Sequence, residues 1–298
     1  MSKKLWVGPY DLMQATGDVP AYLAKVKDAG ATGVRIFGVI AWGYRNELQP
    51  WKEMKNGKYN LDKWNVEYWD KLNRLLELLE LNRLDIHVAL HDYCSIKQVE
   101  WQYHPFLNNK QGVEFFPREA EIYHERYFSA MTYVTQLHGV RYWYEPMNET
   151  GPREALDWHR WAVATLRKFG VPQNRIIGSG ETAYDDDFIS NLSKQVRTWS
   201  VHGHARPQAV LEKYPNVHSK NIIISTDGGR DGKGPADPVY GWRGPNKAQM
   251  ANIARKVIEH GHLGIEYKPR DAVTGRYIWA DVDKVDVSII RAAGRVFE

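Results

Sequence analysis

Eight times along its 298 residues this chain passes from a short apolar run into a longer stretch with helical periodicity, a rhythm that few folds satisfy. Apolar runs bounded by turn residues predict strands over 4–8, 33–41, 85–91, 140–146, 175–179, 198–202, 222–227 and 263–266. Helical patterns cover 19–29, 61–82, 121–138, 154–169, 186–196, 207–214, 247–260 and 283–296. The clearest puts Leu72, Leu75, Leu76 and Leu79 at i, i+3, i+4 and i+7, the stripe of a helix packed on a sheet. Eight such units in one chain of this length predict an α/β protein, a closed (β/α)8 or TIM barrel forming a single domain over 1–298. The competitor is an open doubly wound sheet. Its usual G-x-G-x-x-G after the first strand is absent from GPYDLMQATG.

Loop lengths give an independent argument. The connections from helix to strand are terse: AGATG, NRL, HG, FGVPQN and HGHLG. Those from strand to helix are long, over 42–60, 95–119 and 228–246. They carry Trp42, Tyr44, Trp51, Trp101, Tyr103, His104, Phe106, Phe115, Phe116, Tyr240 and Trp242. In a barrel these loops crowd the C-terminal rim, where sites are built.

Composition excludes several classes. The formal charge of +4 comes from 40 basic and 36 acidic residues scattered along the chain, without the clustered basic footprint of a nucleic-acid-binding surface. Cys94 is the sole cysteine, so no intramolecular disulfide can form. No apolar run is long enough to span a bilayer, and MSKKLWVGPYDLM has no apolar leader segment. A soluble protein is expected, either cytoplasmic or secreted with a signal that lies outside this sequence.

The chemistry concentrates in RYWYEPMNET, an aromatic strand running into Asn148 and Glu149. A carboxylic acid at a strand end, braced by an amide, suits proton transfer to a leaving oxygen. Other strand ends supply Arg35 in GVRIFG, His91 in VALHDY and His202 in SVHGH. This ordered set, spread over nearly the whole chain, resembles the glycoside hydrolases of clan A, most closely family 5, the cellulase and mannanase family. In that family an Arg sits on strand two, a His ends strand three, Asn-Glu ends strand four, His-x-Tyr ends strand six, a Glu ends strand seven and a Trp ends strand eight. Glu145 also looks like the usual companion in the strand-four motif. Three positions depart from the pattern: IIISTDGG puts Asp227 where the family has Glu, His204 replaces the Tyr, and LGIEYKP offers Glu266 in place of the Trp.

Glycosidic cleavage needs an acid at the leaving oxygen and a second carboxylate across the sugar, about 5 to 5.5 Å away for retention or roughly 6.5 to 9.5 Å for inversion. Glu149 is the expected proton donor, Asn148 the partner of the sugar 2-hydroxyl, and Arg35 the cation that keeps the second carboxylate ionised. Asp227 is the candidate second carboxylate. Being one methylene shorter than Glu, it leaves three readings open: a retaining nucleophile, a base on an admitted water, or a crippled site. Glu266 and Glu181 are weaker candidates for that carboxylate. Trp42, Trp101 and Trp242 are expected sugar platforms, and His91, His202, His204 and Glu266 further substrate contacts. The resemblance implies a β-1,4-glucan or mannan substrate, retention of configuration, and no cofactor or metal.

Three rivals come from other classes. A carbohydrate-binding protein descended from a hydrolase would keep the aromatic platforms. A metal-dependent barrel could use the His202–His204 pair, whose spacing puts both rings on one side of a strand. A phosphate-handling barrel needs a lysine at a strand end, and none stands out. The glycine-rich GGRDGKG lacks the Lys-Ser/Thr ending of a phosphate loop and reads as a lid or subsite loop.

Overall fold

The computed structural model describes residues 3–8, 12–39, 48–97, 104–149, 154–180, 192–202, 211–212, 217–226, 244–269 and 281–298. The strands Lys4–Val7 (β1) and Gly33–Phe37 (β2) precede an antiparallel ribbon, Trp51–Glu53 (β3) with Tyr59–Trp64 (β4). Then follow Asp85–Asp92 (β5), Tyr142–Asn148 (β6), Ile177–Gly180 (β7), Thr198–His202 (β8), Ile222–Ser225 (β9) and Gly264–Tyr267 (β10). Side by side, the parallel strands run β6, β5, β2, β1, β10, β9, β8, β7, and a parallel bridge between Tyr144 and Ile176 joins the two ends. The sheet is thus a nearly closed (β/α)8 barrel, as the alternation predicts.

Helices Val19–Asp28 (α1), Val66–Asn82 (α2), Tyr93–Lys97 (α3), Glu121–Leu137 (α4), Glu154–Lys168 (α5), Lys247–Glu259 (α6) and Val287–Phe297 (α7) intervene. Several starts are written in the sequence. Asp18 accepts the Ala21 N–H at α1, Asp286 accepts the Ser288 N–H at α7, and Asn246 with Gln249 forms a capping box at α6. The helix predicted over 61–82 begins later, because residues 61–64 pair into the ribbon and leave Asn65 as the cap. The predicted helices over 186–196 and 207–214 lie mostly outside the described residues.

Alternation along each strand sorts side chains into two layers. Leu5, Val7, Val34, Ile36, Ile86, Val88, Ile222, Ile224 and Ile265 join one large cluster with Leu72, Leu75, Leu76 and Leu79 of α2. Each such burial is worth ~1.5–3 kcal/mol. Trp6, Trp143, Ile177 and Ile223 form a second cluster within the barrel, where Trp6 meets Trp143 edge-on at 5.2 Å. Polar side chains fill another inner layer: Arg35, His87, Glu145, Ser200, Ser225 and Glu266, all buried.

Two neighbouring strands break the alternation together. Along β5 and β6 the register pairs Ala89 with Glu145 and His91 with Met147, but the Leu90–Pro146 pair between them is missing. Since the Ile86 N–H donates to the Arg141 carbonyl, a regular ladder would bring the Met147 N–H to the Leu90 carbonyl, which accepts instead from the Val39 N–H on the β2 side. The register is unchanged beyond this point, but the parity reverses: His91 and Met147 face the outer layer, while Asn148 turns inward onto Arg35 and Asp92.

Candidate active site

The inner polar layer is built around Arg35. Its Nη2 lies 2.7 Å from Glu145 Oε2 and donates to Asn148 Oδ1 at 2.8 Å, and its Nε lies 3.3 Å from Glu266 Oε1. His87 Nε2 is 2.9 Å from the same Glu145 oxygen. Glu266 also accepts from Ser200 Oγ at 3.3 Å and Ser225 Oγ at 3.2 Å. Burial alone would raise the Glu145 carboxyl, but the Arg35 charge and the His87 hydrogen bond outweigh it and hold it well below the usual carboxylate range. Among the described residues, His87, Glu145 and Glu266 are the group with metal-ligand spacing, their ligand atoms within 4.8 Å of one another. The Arg35 guanidinium already brings a positive charge against both carboxylates, which disfavours a further cation there.

At the strand ends the layer opens. Asn148 is clamped on both sides: its Oδ1 accepts from Arg35, and its Nδ2 donates to Asp92 Oδ1 at 2.8 Å. Asp92 is fixed in turn by the Ser95 N–H and hydroxyl at 2.9 and 2.8 Å. Glu149 follows with φ of +53°, a left-handed conformation costing a non-glycine residue roughly 1–2 kcal/mol. Its backbone N–H donates to Ser179 Oγ at 3.1 Å, and its carboxylate Oε1 lies 3.1 Å from His202 Nδ1. The Glu149 side chain keeps 16% exposure against 6% for His202, so the acid reaches solvent while its partner does not.

Arg35, Asn148, Glu149 and His202 therefore converge as expected, but His91 does not join them. The break in alternation at Leu90 leaves its ring facing outward, where it is fully buried among Phe106, Phe115, His124, Tyr127 and Trp158 and lies 3.3 Å from His124 Nδ1. Asp92 takes the inward position. Glu266 is also corrected: it is wholly buried in the ion network and has no surface for a substrate to touch. Trp51, His104, Phe106 and Phe115, expected on the rim, are buried in the aromatic layer between the barrel and α4. Trp42, Trp101, Glu181, His204, Asp227 and Trp242 lie outside the described residues. Sequence reading passed over His87, Asp92 and Ser179, whose inward parity follows only from knowing where each strand begins. It also passed over Lys268, a buried lysine just after the eighth barrel strand, with its Nζ 5.2 Å over the Phe37 ring.

The outer aromatic layer carries neutral imidazoles. Burial, with neighbouring histidines adding to it, pushes His91 well below 6.5, and burial takes His104, His124 and His159 down to about 3. Below an unfolded-state value of about 6.5 the unfolded chain binds protons that the fold refuses, so stability is complete above that pH and falls as pH drops toward the folded values. The thermal midpoint is expected to fall steadily between about pH 7 and about pH 4. A flat profile over that interval would contradict the assignment.

No protein-family model matches the sequence, and no curated protein matches it closely. Solved structures do. A family 5 xyloglucanase from Paenibacillus pabuli superimposes with a TM-score of 0.62 at 12% identity, covering 100% of this chain and 99% of that one. A β-mannanase from Streptomyces thermolilacinus gives 0.55 at 13% identity, over 96% and 86%. A protein from Bacteroides vulgatus assigned to the glycoside hydrolases gives 0.66 at 15% identity over 98% of this chain, which spans only 56% of its length. No helix among the described residues is long and apolar enough to cross a membrane. In fold, the chain is a (β/α)8 barrel of the kind built by clan A glycoside hydrolases, with family 5 enzymes among its structural neighbours.

Proposed function

We propose that the chain hydrolyses a β-linked poly- or oligosaccharide of the β-1,4-glucan or mannan type, with Glu149 as acid/base and Asp227 at the nucleophile position. One observation carries this reading: Glu149 ends the fourth barrel strand in a left-handed backbone, partly exposed, with His202 on its carboxylate and a doubly clamped Asn148 beside it. Asn148 has a second Nδ2 proton to meet the sugar 2-hydroxyl, a contact that strengthens as charge develops on the ring. Arg35, fixed by two carboxylates, supplies the positive field that keeps a neighbouring acid ionised. Trp42, Trp101 and Trp242 are the proposed sugar platforms and His204 a further substrate contact, and the proposed reaction needs no cofactor. The neighbours described as xyloglucanase and β-mannanase support a β-glycan as the substrate class.

Proton NMR of the first-formed anomer tests the mechanism directly. Retention, with the β-anomer appearing before mutarotation, is the expected result and makes Asp227 a nucleophile. In that case Asp227→Glu raises the rate by restoring reach. The α-anomer first would make Asp227 a base acting on water, and Asp227→Glu would then slow the enzyme by filling the space for that water. Absence of hydrolysis on glucan, mannan and their oligosaccharides would overturn the reading.

A further inference from the structure

The serine on the fifth barrel strand sits where two parts of Glu149 meet. Ser179 is fully buried, and its Oγ accepts the Glu149 backbone N–H at 3.1 Å and lies 3.5 Å from His202 Nε2. The other nitrogen of the same ring, Nδ1, lies 3.1 Å from Glu149 Oε1. Backbone, hydroxyl, imidazole and carboxyl therefore close a ring that begins and ends on one residue. We infer that Ser179 is a positioning residue that sets the tautomer of His202 and so reserves the proton of Glu149 for the substrate.

The argument is one of donors and acceptors. A serine hydroxyl has one proton and two lone pairs. The Glu149 N–H occupies one lone pair, and for the buried hydroxyl proton Nε2 is the acceptor in reach among the described residues. A neutral imidazole that accepts at Nε2 carries its proton on Nδ1. That proton faces Glu149 Oε1, so Oε1 is held as an acceptor and the acidic proton belongs on Oε2. The opposite tautomer would leave Nδ1 a bare acceptor 3.1 Å from the acid. It would draw the carboxyl proton into an internal hydrogen bond and away from a glycosidic oxygen. The same serine also satisfies the N–H of a residue held at φ +53°, so one side chain fixes both the backbone and the protonation geometry of the acid.

The inference rests on Glu149 being the general acid, and the test separates the two claims. In protein labelled with 15N-histidine at mildly alkaline pH, His202 resonances are assigned by their loss in His202→Asn. The parent is expected to show a protonated Nδ1 and a bare Nε2, with no substrate present. In Glu149→Gln, whose neutral amide can face either tautomer, Nδ1 is expected to stay protonated, and adding Ser179→Ala is expected to shift His202 to the Nε2-protonated form or to a mixture of the two. On a β-glycan, kcat of Ser179→Ala alone falls on the order of tenfold with KM little changed, the size of one lost hydrogen bond. Ser179→Thr, which keeps the hydroxyl, restores the Nδ1 tautomer and covers the case in which the alanine variant folds poorly. A parent His202 protonated on Nε2 overturns the inference. So does an unchanged tautomer when Ser179→Ala is added to Glu149→Gln, even if Ser179→Ala alone lowers turnover, because the loss would then be merely structural. If no glycan is turned over by the parent, the functional reading fails while the NMR result still decides the role of Ser179.

Discussion

Glu149→Gln is expected to slow hydrolysis of a natural β-glycan by about 10²–10⁴-fold while leaving the thermal midpoint where it was. The amide is nearly isosteric, its oxygen can still accept from His202 Nδ1, and its backbone N–H keeps Ser179. What it cannot do is hand a proton to the leaving oxygen. A glycoside whose leaving group departs without protonation, such as a dinitrophenyl glycoside, should therefore recover the first chemical step. Steady-state rates on both substrates check the assignment. Natural-glycan turnover near the parental rate would remove Glu149 from the role of acid.

Glu145→Ala should cost about 3–5 kcal/mol in urea unfolding, the largest stability effect expected of any single change in the inner polar layer. The carboxylate is completely buried, bonded to Arg35 at 2.7 Å and within 2.9 Å of His87. Its removal takes one of two carboxylates from a guanidinium buried in the barrel. The pH dependence has a definite sign. Because its folded value is depressed, the stability contributed by Glu145 is fully present above the ordinary carboxylate range and is lost progressively as pH falls from that range down through the lowered folded value. A loss below about 1 kcal/mol at neutral pH would place the network in the class of exposed ion pairs, which its burial contradicts.

Most of the barrel is legible from periodicity, because a strand that packs helices on one face and a filled lumen on the other must alternate. The eight predicted strands all appear in the structure, with ends displaced by up to a few residues. The Leu72–Leu79 stripe of α2 is buried as its spacing requires. Residues 61–64 were read as the start of the helix over 61–82, and only pairing with Trp51–Glu53 makes the ribbon Tyr59–Trp64 a strand. At the site, Arg35, Asn148, Glu149 and His202 were found by their order at strand ends. His91 was misplaced because its position at a strand end says nothing of parity, and parity turns on one missing ladder pair.

The chain's own pattern determined the nearly closed barrel and the place of Asn148 and Glu149 at the end of its fourth strand, because these follow from local runs of side chains and the order of elements. Which neighbouring residue faces inward was decided only by the assembled sheet. Alternation along β5 breaks at Leu90, whose carbonyl accepts from Val39, and beyond it His91 enters the aromatic layer and Asp92 meets Asn148. Likewise Ser179, His202 and Glu149 come from separate strands and meet only when the barrel closes. A hydrogen-bonded ring of that kind depends on distances across the fold, which no spacing along the chain encodes.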